Sequence, residues 1–189
     1  RALKILKFKE ENLFYMNDEF EVEDLKLHMS SKEIYNCIGG IYKNWKFSQI
    51  FTLAFEGGHP DHDSLALISK YFSKNNDVDI FFFPAYSSRR SLISPINVAR
   101  PLKSQFSQFT KIRTGYFSWY SSILMAYIYK SEFKAMLKLL PFLIFNFFLS
   151  KWVYVSEDLN FESVDWERSL SLRRYGISKE SILHEISKL

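Results

Sequence analysis

Apolar residues in the first half of the chain follow two alternating spacings, and this pattern predicts helices and strands in alternation. A helix is predicted from a capping box at 30–33 to about Lys46. Its apolar positions share one helix face, and they are Ile34, Ile38, Ile41 and Trp45. Two nearly continuous apolar runs, 49–55 and 77–83, are typical of parallel strands covered on both faces.

The segments on either side of this region are less regular. Residues 1–8 predict the end of a helix, and residues 12–16 a short strand. Residues 17–29 predict an acidic loop that can border a site, although solvated surface is the favoured role for most of its charges. Periodicity is lost from 87 to 114, where Ser, Arg, Pro and Lys dominate. Irregular segments of this length in a compact domain are often functional.

The last third of the chain predicts helices around one further strand. Residues 119–140 have helical periodicity, and residues 152–155 predict a late strand. The apolar run 139–149 is too short to span a bilayer, so it predicts a core helix or dimer surface, or contact with a membrane interface. A terminal docking helix is predicted from Ser178, with apolar positions Ile182, Leu183, Ile186 and Leu189.

Alternation of helix and strand predicts an α/β protein with a mostly parallel sheet and right-handed crossovers. At 189 residues and 22.5 kDa the chain is one domain or most of one. The sheet core is expected in 1–87, and a loop followed by helices in 88–189. Hydrophobic residues make up 47% and charged residues 24%, which is typical of globular rather than disordered chains.

Charge and cysteine content narrow the range of partners. The net charge is +4 and the basic residues are scattered, so nucleic-acid binding is not predicted. Arg89 and Arg90 are predicted to contact an anionic part of a substrate, with solvated surface as the alternative. The single cysteine, Cys37, excludes an internal disulfide and predicts a buried thiol in a reducing, cytoplasmic environment.

The most informative segment is 57–63, Gly-Gly-His-Pro-Asp-His-Asp, which directly follows a predicted strand. It holds two of the four histidines of the chain, interleaved with carboxylates, and these groups are typical ligands of zinc and their supporting residues. A helix is predicted to begin here, capped by Asp61 or Asp63, and to end near Ser73. The glycines allow a sharp turn and close approach to a ligand. The alternative is that these polar residues serve only as helix caps and turn residues.

This segment resembles the second motif of the PIG-L (LmbE-like) family of zinc-dependent N-acetyl-sugar deacetylases. Residues 2–6 and 10–16 are similar to the helix and second strand of that family, and Asp24-Leu25 to its acidic loop. The resemblance covers residues 1–87 and is loose afterwards. It implies a Rossmann-like three-layer fold and hydrolysis of a linear amide C–N bond in an N-acetyl amino sugar or glycoconjugate.

The resemblance also implies roles for individual residues. His62 corresponds to a zinc ligand, and His59 to the side chain that polarises the amide carbonyl or protonates the leaving amine. Asp61 corresponds to a carboxylate that orients a histidine. Gly57 and Gly58, at the turn, are expected to approach the substrate.

The family's other motif, His-Pro-Asp-Asp, does not occur before residue 57. That motif supplies the remaining zinc ligands and the general base. Two hypotheses follow: the chain lacks an N-terminal βα unit of the enzyme, which we favour, or it is a catalytically incomplete relative that binds sugars or another protein. Homo-oligomers and peripheral membrane contact through 139–149 are compatible with both hypotheses.

Overall fold

The computed structural model describes residues 9, 11, 13–15, 20–88, 96–98, 109–113, 152–155, 162 and 164–189. The chain divides into two compact units, residues 1–15 with 111–153, and residues 16–110 with 154–189. The predicted helices at 1–8 and 119–140 and the apolar run 139–149 lie outside the described residues. The 57–63 segment belongs to the second unit.

A β-α-β arrangement surrounds the 57–63 segment. Strands β1 (Gln49–Leu53) and β2 (Asp79–Phe83) pair in parallel, and helix α2 (Pro60–Asn76) connects them. Helix α1 (Ser31–Trp45) precedes β1, after a 3-10 turn at Leu27–Ser30. Because a parallel pair requires a crossover, this arrangement confirms the predicted alternation and a mixed α/β fold.

Shorter elements follow in chain order. Strands β3 (Tyr86–Ser88) and β4 (Ile96–Val98) pair antiparallel, and β5 (Thr110–Arg113) pairs with β6 (Trp152–Val155). The predicted strand at 152–155 is therefore confirmed. The expectation that 87–114 lacks regular structure is wrong at β3, β4 and β5, whose short strands carry too few residues to show a periodic pattern.

Two helices occupy the C-terminal part of the second unit. They are α3 (Leu170–Tyr175), preceded by a 3-10 turn at Trp166–Arg168, and α4 (Lys179–Ile186). The terminal helix is confirmed, with Ser178 as its N-cap and Ile182 fully buried. Leu183, however, is 40% exposed, because a short helix buries only one narrow face.

Some local predictions are wrong. Residues 13–15 form no strand, and the capping box at 30–33 does not form, because the 3-10 turn already occupies the residues before α1. Helix α2 continues to Asn76 rather than ending near Ser73. The run 49–55 is not covered on both faces: Phe51 is 59% exposed, and its ring stacks on Phe81 at 4.9 Å.

The core of the second unit forms around α2. Apolar side chains of α2 pack against both strands and against α1 and α4, and those buried in this cluster include Ile34, Phe55, Ala66, Ile68, Phe82 and Ile182. Phe72 is also buried and contacts the rings of Tyr35, Tyr42 and Phe47. This packing fixes the position of the first turn of α2, where the conspicuous histidines lie.

The turn between β1 and α2 is held from the C-terminal side of the chain. Trp166 stacks on Phe55 at 5.4 Å, and the carbonyl oxygen of Gly57 accepts hydrogen bonds from Leu170 N at 2.8 Å and Ser171 N at 3.2 Å. Gly57 has φ +68°, and a Cβ there would lie 2.8 Å from Ser169 Cβ. Glycine is therefore required by both backbone conformation and space.

We predict that Gly57→Ala lowers the free energy of unfolding by roughly 2–4 kcal/mol, because it combines an unfavourable positive φ with overpacking. The matched control is Gly40→Ala in α1, where a Cβ would meet nothing within 4 Å. The control should be neutral or stabilising by up to about 1 kcal/mol, since alanine favours helix. Urea unfolding of both variants measures the difference, and equal stabilities would contradict the packing described here.

Candidate metal and catalytic site

The site lies where the chain passes from the carboxyl end of β1 into α2. Pro60 is the first residue of the helix, and His59 is its N-cap, with Nδ1 accepting a hydrogen bond from Asp61 N at 3.3 Å. The predicted capping by Asp61 or Asp63 is wrong. Proline favours the first helical position, so the cap falls on His59 and both carboxylates lie within the helix.

Asp61 ties the acidic loop to the start of α2. Its Oδ2 accepts a hydrogen bond from Leu25 N at 2.9 Å, and its Oδ1 accepts one from Leu27 N at 3.0 Å. Leu25 has φ +69°, an unusual conformation for leucine that these two bonds help to hold. As a result Asp24, exposed and adjacent to Leu25, lies at the site.

Three side chains form a group that could hold a metal ion. One ligand atom from each of Asp24, His59 and Asp61 lies within 4.8 Å of the other two. In the part of the chain that the structure describes, this is the one such group found. Imidazole and carboxylate ligands suit zinc and other divalent ions. Asp24 of the acidic loop thus lies beside the 57–63 segment, and its role at a functional site stays a prediction.

His62, which the resemblance implies as the zinc ligand, lies next to this group but outside it. Its ring centroid is 5.0 Å from that of His59. Burial lowers the pKa of His62 to about 4, assisted by His59 and opposed by the Asp61 carboxylate. The imidazole is therefore neutral near pH 7, which is the form that binds metals.

His59 is poised as a hydrogen-bond donor. A neutral imidazole whose Nδ1 accepts a hydrogen bond carries its proton on Nε2. His59 Nδ1 is also 3.9 Å from Asp61 Oδ2. The side chain of His59 is 17% exposed, so it is reachable from solvent although largely enclosed.

Asp63 is fully buried and links three segments of the chain. Its Oδ1 accepts hydrogen bonds from Glu56 N at 2.8 Å and Gly57 N at 2.9 Å, and its Oδ2 accepts one from Ser171 Oγ at 3.0 Å. Burial raises the pKa of Asp63 to about 7, although all three hydrogen bonds act in the opposite direction. This carboxyl group therefore shapes the turn through bonds within the fold.

The structure describes two of the four predicted substrate-binding residues, Gly57 and Gly58. Gly57 and Gly58 are buried, and both polar backbone groups of Gly57 bond within the fold, to Asp63, Leu170 and Ser171. Gly57 therefore supports the turn, and its approach to a substrate stays a prediction. Arg89 and Arg90 lie outside the described residues.

The two other histidines, His28 and His184, are isolated in the sequence, so each is expected to be a surface or capping residue rather than a ligand. His184 is exposed, as expected. His28 is buried at 7% exposure in the 3-10 turn beside Leu27, so the expected surface position is wrong for it. Sequence gave no signal for this, because the acidic segment around His28 resembles a solvated loop. Cys37 is half-buried in α1.

Sequence reasoning missed the contribution of the C-terminal segment. Ser171 bonds Asp63, and the ring of Tyr175 meets that of His59 edge-on at 5.5 Å. These residues follow the motif by more than 100 positions, and no local pattern connects the two regions. Stacking of Trp166 on Phe55 and the hydrogen bonds to Gly57 O help to bring the two regions together.

Comparisons with models of known protein families, with curated protein sequences and with solved structures give no match. Among the described residues, the helices are all too short or too polar to cross a membrane. The functional assignment therefore depends on the residues of the site and on the motif at 57–63.

We predict that Asp63 and His62 contribute opposite pH dependences to stability. Between about pH 4 and 7, the raised pKa of Asp63 means that the folded chain binds the extra proton, so its contribution to stability falls as pH rises. The lowered pKa of His62 means that the unfolded chain binds the extra proton, so its contribution falls as pH drops from 6.5 toward about 4.

The variants Asp63→Asn and His62→Gln separate these contributions. The free energy of unfolding of Asp63→Asn, relative to the wild type, should increase from pH 4 to 7 by roughly 2–4 kcal/mol. The free energy of unfolding of His62→Gln, relative to the wild type, should decrease as the pH rises from 4 to 6.5. Urea unfolding at stepped pH measures both, and a pH-independent difference for Asp63→Asn would contradict the prediction.

Proposed function

We propose that this protein is a metal-dependent hydrolase that removes the acetyl group from an N-acetylated amino sugar or glycoconjugate. The observation that carries the proposal is the convergence of Asp24, His59 and Asp61 at the start of α2, with His62 beside them. The position supports it as well, because open α/β folds place ligands beyond the carboxyl ends of parallel strands.

The proposed fold is the Rossmann-like three-layer arrangement of PIG-L enzymes. Parallel pairing of β1 with β2 through α2 supports it, since this is the unit from which such sheets are built. The motif at 57–63 supports the substrate class, by its resemblance to that family. Zinc is the proposed metal, because the donors combine imidazole with carboxylate.

Two assignments of the metal ligands can be tested. The geometry groups Asp24 with His59 and Asp61, whereas the resemblance names His62. A bound divalent ion would supply Lewis-acid polarisation of the amide carbonyl and activation of water. Either assignment places that chemistry at the first turn of α2.

The side chains of the chain itself would act on the substrate as follows. If His62 rather than His59 holds the metal, His59, with its proton on Nε2, can donate a hydrogen bond to the acetyl carbonyl oxygen. It can protonate the leaving amine only after taking up the proton released by the attacking water, because a neutral imidazole that lost its one proton would be left as an imidazolate. His62 stays neutral near pH 7, so it can bind a metal without first losing a proton. Asp61 holds the loop that brings Asp24 to the site.

A binding module without catalysis is the second candidate. Both oxygens of Asp61 already accept backbone hydrogen bonds, from Leu25 and Leu27, which limits its strength as a ligand. Catalytic zinc normally has three protein ligands and a water. If the set is incomplete, the site would bind a sugar through its hydrogen-bonding groups and would not hydrolyse the amide.

We predict that the protein as its gene encodes it binds one zinc ion per molecule and that His62→Ala and Asp24→Ala identify the ligand set. A variant that lacks a true ligand should bind zinc at least roughly 10- to 100-fold more weakly. Isothermal titration with Zn²⁺, checked by elemental analysis, measures the affinity. If only His62→Ala loses zinc affinity, His62 is the ligand, as the resemblance implies. If Asp24→Ala loses zinc affinity, the group of Asp24, His59 and Asp61 holds the metal.

His184→Ala is the matched control, because His184 is exposed on α4 and should leave zinc binding unchanged. Release of acetate from an N-acetylglucosamine conjugate reports activity, measured on the protein as its gene encodes it. His59→Ala should reduce this activity by roughly 100-fold or more if His59 acts as an acid. Absence of zinc binding by the wild type would remove the hydrolase proposal and leave the binding module.

A further inference from the structure

The C-terminal end of α3 lies against the proposed catalytic histidine. The half-buried ring of Tyr175, the last residue of α3, contacts the His59 ring edge-on at 5.5 Å between centroids, with an interplanar angle of 60°. His62 contacts His59 at 5.0 Å. His59 therefore has an aromatic neighbour contributed by a segment remote in sequence.

The side chain of Arg174 lies close to the Tyr175 ring. The guanidinium carbon of Arg174 lies 5.4 Å from the centroid of the Tyr175 ring, within the range of a cation–π contact. Arg174 is exposed, and in the part of the chain that the structure describes no carboxylate pairs with it. The same described residues contain no hydrogen-bond partner for the Tyr175 hydroxyl group. Both side chains thus have polar groups available to a ligand.

The start of α3 is anchored to the site by hydrogen bonds. Ser169 caps the helix through Leu172 N, Gly57 O accepts hydrogen bonds from the first turn, and Ser171 Oγ donates to Asp63. Gly176 ends the helix with φ +71°, and a Cβ there would meet nothing within 4 Å. Tyr175 and Arg174 therefore lie within about one helical turn of the anchored start of α3, beside His59.

We propose that Tyr175 and Arg174 form a substrate-binding wall, in which the Tyr175 ring packs on a sugar ring and Arg174 pairs with an anionic group carried by that sugar. This inference rests on the proposed function for its sugar substrate, and it specifies the class as anionic N-acetyl amino sugars. A guanidinium group pairs with phosphate or carboxylate through two parallel hydrogen bonds, so either anion fits. An aromatic ring offers an apolar face with little loss of side-chain entropy.

The test is binding, measured by isothermal titration, of three probes: N-acetylglucosamine, N-acetylglucosamine 1-phosphate and N-acetylmuramic acid. The wild type should bind at least one of the anionic probes roughly 10-fold or more tightly than the neutral sugar, as expected for a charge-assisted contact. The stronger anionic probe identifies phosphate or carboxylate as the recognised group. Equal binding of all three probes, or no binding of any, overturns the proposal.

Arg174→Gln should abolish the preference for the anionic probe. Because Arg174 is exposed, the substitution should leave the fold intact, so the lost preference can be attributed to the missing charge. Arg173→Gln is the matched control, since it removes the same charge from the neighbouring exposed residue, which has no ring contact among the described residues. Retained preference in Arg174→Gln, or equal loss in Arg173→Gln, would show that Arg174 has no specific role.

The affinity of Tyr175→Phe for each probe should stay within about 2-fold of the wild-type value, because the ring is kept. The affinity of Tyr175→Ala should fall by roughly 5- to 10-fold, because the ring is lost. Equal affinities of Tyr175→Ala and the wild type would contradict packing on the sugar. Zinc titration of the same variants keeps the two proposals distinguishable. If zinc binds but no anionic probe is preferred, only the proposal of a substrate-binding wall is contradicted. If an anionic probe is preferred but zinc does not bind, only the hydrolase proposal is contradicted.

Discussion

The buried carboxyl group of Asp63 is the interaction on which the site depends. It accepts hydrogen bonds from two successive backbone amides of the β1–α2 turn and from Ser171 of the C-terminal segment. Removing it would leave those two amides and the serine hydroxyl group buried without partners, which costs far more than the net value of the bonds. The turn that carries His59 and His62 is therefore shaped by a side chain that itself takes no part in the proposed chemistry.

Asp61 performs a related function on the other side of the site. Its two oxygens accept the amides of Leu25 and Leu27, so the acidic loop is fixed to the first turn of α2. Two carboxylates only two positions apart thus have separate tasks, because successive helical residues point in different directions. Asp63 reaches inward to the C-terminal segment, and Asp61 reaches sideways to the loop.

The sequence allows prediction of those features that depend on local pattern. The alternation of elements around 30–83, the parallel strands and the terminal helix follow from apolar spacing, which packing then reinforces. The predicted cap of α2 is wrong because Pro60 starts the helix, which places the N-cap at His59 and leaves both carboxylates within the first turn. The approach of Tyr175 to His59 and the burial of His28 could not be predicted, since both depend on contacts between segments distant in the chain.

The way in which the C-terminal segment docks has a consequence for how this site can diversify. Gly57 holds the start of α3 through its carbonyl oxygen and two backbone amides, and a backbone contact does not depend on which side chains follow. Residues one turn later, at 173–175, can therefore change in size and charge without loosening the attachment. The anchor and the residues proposed to contact a ligand are separate parts of one short helix, so those residues can change while the motif at 57–63 keeps its geometry.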